Sequence, residues 1–189
     1  MIAMNILVAV ILALATYILR VADHPWNVAP TAAAMLFAGA VLPRRWGWIA
    51  PLAGSFAADA VIGFDRWQMT TSIALVYAAV WGAGALLARF EGRSLGSLAR
   101  RNGVIALAGS VLFYLVTNWA VWMWSPLYAP TWAGLAESYA MAIPFFRNTL
   151  LGDLLFTGVF FGCYAAASWA VQHREGLLDR RVLVRHDDA

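Results

Sequence analysis

Side chains able to do chemistry are sparse in this chain of 189 residues, and most of them lie inside apolar runs. Ser55 and Asp59 are four apart; Ser110, Tyr114 and Asn118 repeat every four; Thr149, Asp153 and Thr157 do the same. Four-residue spacing keeps side chains on one helical face, so each of three helices carries a polar stripe. Ionisable groups inside a membrane are costly and mark either function or a structural partner. The aspartates suit a cationic or amine group. Asn27 and Asn148, each placed to open a helix, would add the partial positive charge of a helix N-terminus, which suits a carboxylate or phosphate. The sign of a ligand is therefore left open at this point.

Catalytic patterns are poor. Gly152-Asp153 with Asp59 on another helix suggests an intramembrane aspartyl protease, whose paired acids share a proton. The Gly-x-Gly-Asp pattern fails because position 150 is Leu, and Ala58 precedes Asp59 where that family has Tyr. His24, His173 and His186 are scattered, which disfavours a histidine metal site. Cys163 is the one cysteine, so neither an intrachain disulfide nor a cysteine metal site can form. No phosphate-binding loop is present, so the chain cannot itself use ATP. The expectation is a protein that is not an enzyme, with no cofactor and no metal.

Composition says where these residues must sit. Hydrophobic residues make up 62% and charged residues 12% of the chain, with a mean hydropathy of +0.70; a water-soluble surface needs about a quarter charged residues. A soluble enzyme, a nucleic-acid module and a disordered chain are excluded, and the lipid bilayer is the first partner. A spanning helix needs about 20 apolar residues. Strong runs are 2–19, 47–63, 69–88, 104–125 and 148–171, and a weaker one reaches 27–42 if Asn27 caps it. A short outer helix is expected over 130–143, with Glu137 near its middle. Residues 1–171 then form a single transmembrane domain, and 172–189 a polar cytoplasmic tail.

All 13 basic residues are Arg. With six spans and the N-terminus inside, ten of them fall in cytoplasmic segments, leaving Arg20, Arg66 and Arg147 outside, as the positive-inside rule requires. Five spans would split the basic loops between the two sides. The N-terminal run has no Lys or Arg before it, unlike a signal peptide, and is read as the first span. Most of the ten Trp residues fall near span ends, as an aromatic belt. Trp119 and Trp122 lie deeper and are read as packing residues. The fold class is thus an all-α integral membrane protein of the bacterial inner membrane, a six-helix bundle with both termini cytoplasmic.

On this topology Asp59, Asn118 and Asp153 lie about 6–11 Å below the outer boundary. Arg147 and Asn148 open the last helix beside them. The expected substrate-binding set is Asn27, Asp59, Asn118, Glu137, Arg147, Asn148 and Asp153. The competing explanation is that Asp59 or Asp153 pairs with Arg147 while the rest bond across helices. Ala9 and Ala13 form a small-xxx-small pair on the first helix, read as a partner-docking face, and Gly158 and Gly162 form a second pair, read as packing inside the bundle.

The segments His24-Pro25-Trp26-Asn27-Val28-Ala29-Pro30 and Phe145 through Thr157, with Thr117-Asn118-Trp119 and Ala58-Asp59, resemble a family of uncharacterised bacterial inner-membrane proteins. In size, six helices, topology, outer pocket and the Ala9/Ala13 pair, the chain also resembles the S components of energy-coupling-factor (ECF) vitamin transporters. That resemblance implies a small vitamin-like molecule captured from the outer side, and a transmembrane coupling subunit with ATPases docked on the first helix. A solitary transporter is the variant without such a module. The alternative of a different class is a non-transporting cell-envelope scaffold, in which the polar stripes only join helices.

Overall fold

The structure, a computed structural model, describes residues 2–22, 27–89 and 95–187. Its helices are α1 (Ile2–Val21), α2 (Thr31–Val41), α3 (Ile49–Ile62), α4 (Trp67–Leu87), α5 (Leu95–Trp124) and α6 (Trp132–Asp187). Four of these, α1, α4, α5 and α6, are long and apolar enough to cross a membrane. α1 turns Ile6, Leu7, Val10, Ile11, Leu14 and Ile18 outward, a face that hydrocarbon solvates and water does not.

α2 and α3 have 11 and 14 residues, about 16 and 21 Å of rise. α2 persists as a short helix because it is the centre of the bundle. Thr31 and every residue from Ala33 to Gly39 are buried, and α2 packs mainly on α4, with α6 on another side. The α2–α4 crossing brings backbone onto backbone. A Cβ at Gly39 would run into the Trp81 carbonyl, and one at Gly84 into the Leu36 carbonyl. Around this crossing Met35, Leu36, Val76, Tyr77 and Val80 form one apolar cluster, and Leu12, Phe37, Ala38 and Leu42 a second. Phe37 meets Phe161 edge-on at 5.0 Å, tying α2 to α6.

Side-chain bonds fix which helix ends meet. Arg66, before α4, donates from Nη1 to the Trp124 carbonyl at the end of α5 (3.0 Å). Arg44, before α3, donates to the Ala85 carbonyl near the end of α4 (2.8 Å). Arg20, closing α1, reaches Asp59 near the end of α3. One end of the bundle therefore carries Arg20 and Arg66, and the opposite end Arg44 and Arg45.

Several expected boundaries move. α2 begins at Thr31, after Pro30, and Asn27 takes a left-handed φ of 64° in the preceding turn. Asn tolerates that region because its short amide bonds locally; it is not a helix cap. The short helix over 130–143 and the last span are one helix, α6, with Pro144 inside it. Proline removes one donor, but breaking the helix in an apolar setting would strand more backbone groups, each costing several kcal/mol. Arg147 and Asn148 therefore lie within α6, and Asn148 opens no helix. The helix also continues past residue 171 to Asp187, and α5 starts at Leu95, nine residues before its apolar run. Hydropathy marks the buried part of a helix, whereas Arg supports helix beyond it.

Ala13 lies inside the bundle, its carbonyl where a Cβ at Gly54 of α3 would stand, and Ala9 packs on the Leu12 and Phe37 cluster. That face of α1 packs against the chain's own helices, with Ala9 and Ala13 both half-buried. Gly158 and Gly162 have open space around the place of a Cβ, because α6 turns this face outward.

Candidate functional site

α6 places Thr149, Asp153 and Thr157 on one inward face, and all three are buried. Asp153 is 4% exposed. Its Oδ2 stands 2.6 Å from the Ser110 hydroxyl of α5, which also lies 3.0 Å from the Ala106 carbonyl. The hydroxyl has a single proton to give. An ionised Asp153 draws that proton, while a protonated Asp153 donates its own to Ser110, which then serves Ala106. Among the described residues no Arg pairs with Asp153.

A cavity of about 190 Å³ opens beside this carboxyl, lined by Arg20, Asn27, Ala29, Ala32, Ile62, Tyr77, Phe113, Thr149 and Asp153. Each of the six helices contributes at least one lining residue. α1 and α3 end at the cavity, with Arg20 and Ile62. Tyr77 lies ten residues inside α4 and Phe113 eleven residues before the end of α5, so those helices run about 15 Å past it. Tyr77 and Phe113 are stacked at 6.3 Å with 22° between their planes. The Thr31 hydroxyl at the start of α2 is buried with no hydrogen-bond partner among the described residues.

Arg20 is held at the cavity wall by Asp59. Its Nε and Nη2 both donate to Asp59 Oδ1, at 3.1 and 2.5 Å. The segment before α2 closes another side. A Cβ at Gly152 would come 3.3 Å from the Val28 Cα, so glycine lets residues 27–29 lie on α6 directly beside Asp153. The two segments that stood out in the sequence, one around Asn27 and one from Phe145 to Thr157, thus meet at this cavity. His24, Pro25 and Trp26 lie outside the described residues.

Of the expected binding residues, Asn27 and Asp153 line the cavity and Asp59 adjoins it through Arg20. Asn118 does not share their layer. It sits eight residues from Ser110 on α5, about 12 Å along the axis, where its amide donates to the Tyr114 carbonyl (2.7 Å) and its own carbonyl accepts from Ser138 of α6 (3.0 Å). Tyr114 and Tyr139 donate to the Tyr139 and Leu115 carbonyls in the same helix pair, so this stretch joins helices. Glu137 and Arg147 are exposed on α6, and Arg147 pairs with neither Asp59 nor Asp153. Asn148 is half-buried and does not line the cavity. Trp119 is exposed and meets Trp124 edge-on at 5.2 Å, while Trp122 donates to the Ala129 carbonyl; neither reaches the cavity. The sequence reading missed Arg20 as a lining residue, and the Tyr77 and Phe113 wall. An Arg at the close of an otherwise apolar span was the available signal for the first.

Six helices, four of them able to cross a membrane, around a small cavity with a buried acid define the class. The chain belongs to a family of unknown function (DUF6580), whose model matches residues 2–175. No curated protein and no solved structure matches it.

Proposed function

We propose that this protein is an inner-membrane binding and uptake protein that captures a small molecule from the outer side, as a substrate-binding subunit of the ECF type or as a solitary transporter. The observation that carries this reading is the meeting of all six helices and both distinctive segments at one cavity that holds a buried carboxyl. Helix packing alone favours filling such a space with apolar side chains. A volume of about 190 Å³ is below the roughly 300–1,000 Å³ of drug-sized sites, which favours the compact end of the vitamin-like class. Energy must come from a coupling module with ATPases or from the gradient of the cargo.

Native mass spectrometry of the gently purified protein tests the reading. A stoichiometric small molecule, released when the Asp153 side of the cavity is altered by Thr149→Leu, is the expected result. A bare chain bound to other envelope proteins would favour a scaffold instead.

Sidedness is a separate prediction. Arg20 and Arg66 lie at the cavity end, whereas Arg44, Arg45, Arg89, Arg100 and Arg101 lie toward the other, a bias that supports an outward-facing cavity under the positive-inside rule. In a Cys163→Ser background, Tyr128→Cys should label with an impermeant maleimide on intact cells, and Leu95→Cys only after permeabilisation. The reverse pattern would turn the cavity toward the cytoplasm.

A further inference from the structure

The sign left undecided by the sequence can be argued from the cavity. We propose that its ligand is a small organic cation, an ammonium group held by Asp153 against the Tyr77 and Phe113 rings; this rests on the ligand-binding reading above. Two features that pointed to an anion are gone, since Asn148 is mid-helix and Asn27 caps nothing. The guanidinium at the wall is spent on Asp59. The first turn of α2 still faces the cavity, but Asp153 borders the same gap as Ala32 and Ala33, so its carboxylate already takes up that partial positive charge.

What remains for a ligand is acceptor and aromatic surface. Asp153 keeps one carboxylate oxygen beyond the Ser110 bond. Thr149 lines the cavity too, and its hydroxyl, which donates to the Phe145 carbonyl, keeps lone pairs for a donor. An ammonium brings three donors and no acceptor, matching this set. Stacked aromatic faces attract a cation through the ring quadrupole, more strongly where water is excluded. A buried carboxylate without a full cation beside it is costly in hydrocarbon, so a cationic ligand relieves the part of the charge that Ser110 and the α2 N-terminus do not offset. The cavity has room for about six waters at their liquid volume of roughly 30 Å³ each, which sets the size of the ligand.

Three probes of matched size separate the possibilities: butylammonium, 1-butanol and butyrate, titrated calorimetrically into the full-length protein in lipid nanodiscs. Butylammonium should bind and raise Tm, with the other two silent. Asp153→Asn should weaken butylammonium at least tenfold, and Phe113→Leu several-fold, while Asp153→Glu keeps part of the affinity. Should Asp153→Asn not fold, Phe113→Leu and the three-probe comparison decide alone. Butyrate or butanol binding in place of butylammonium, or equal ammonium affinity in Asp153→Asn, overturns the cationic assignment and leaves the binding function standing. No binding of any probe, with no small molecule co-purifying, overturns both.

Discussion

Gly84→Leu should abolish the folded bundle, whereas Gly82→Leu, two positions away on the same helix, should be nearly silent. At Gly84 a side chain would enter the space held by the Leu36 carbonyl and the Ala40 amide of α2, while at Gly82 a Cβ meets nothing within 4 Å. Overpacking among flexible side chains costs about 1–3 kcal/mol. Here the obstructing atoms are backbone of the most buried helix, so the cost should exceed about 3 kcal/mol. Leu is a better helix former than Gly, so propensity works against the predicted loss, and a loss cannot be blamed on a weakened α4. Gly39→Leu, on the other side of the same crossing, should behave like Gly84→Leu. Gly158→Leu should behave like Gly82→Leu, since α6 presents that position to open space. Monodisperse yield after extraction and Tm read the difference. Equal stability of Gly84→Leu and Gly82→Leu would mean that α2 does not cross α4 at these glycines.

That crossing shows what periodicity makes legible and what it does not. The Thr149, Asp153, Thr157 stripe was readable because four-residue spacing fixes a common face whatever the neighbours are, and an inward face is the cheap place for polar groups in an apolar helix. The two segments around Asn27 and Asp153 were readable as unusual strings, and the structure brings them into contact through Gly152. Depth along each helix was not readable. It was counted from the outer ends of apolar runs, yet α6 begins at Trp132, sixteen residues before its run, so those ends are not level and Asn118 lies two turns away from Asp153. The partner of Asp59 was not readable either. Arg147 was nearer in the expected layer, but choosing Arg20 depends on how the ends of α1 and α3 pack, which no local pattern encodes. Tyr77 and Phe113 gave no signal because they are two aromatics among many, in helices where any inward position is apolar.

Breaking the Arg20–Asp59 pair should loosen the cavity end of the bundle. Both side chains are 21% exposed, between the surface pairs worth about 0–1 kcal/mol and the buried ones whose disruption costs about 3–5 kcal/mol. An intermediate loss of about 1–3 kcal/mol is expected for Arg20→Ala and for Asp59→Ala, because each leaves the other charge facing a half-buried wall. Arg20→Lys should recover only part of it, since both Nε and Nη2 donate to Oδ1 and an ammonium cannot reproduce that fork. The pair closes α1 onto α3 at the point where both helices end, so the two single changes should not add. The double variant Arg20→Ala/Asp59→Ala should be destabilised about as much as either one, with a coupling of at least about 0.5 kcal/mol in the thermodynamic cycle. Tm in nanodiscs and the accessibility of Thr149→Cys to labelling, at a cavity-lining position that is buried in the intact protein, in a Cys163→Ser background, measure the two consequences. Additive losses would mean that each charge is held by other groups, and the wall of the cavity would then be set by helix packing and not by this clasp. Non-additive losses with Thr149→Cys newly reactive in both single variants would tie the shape of the cavity to one ion pair.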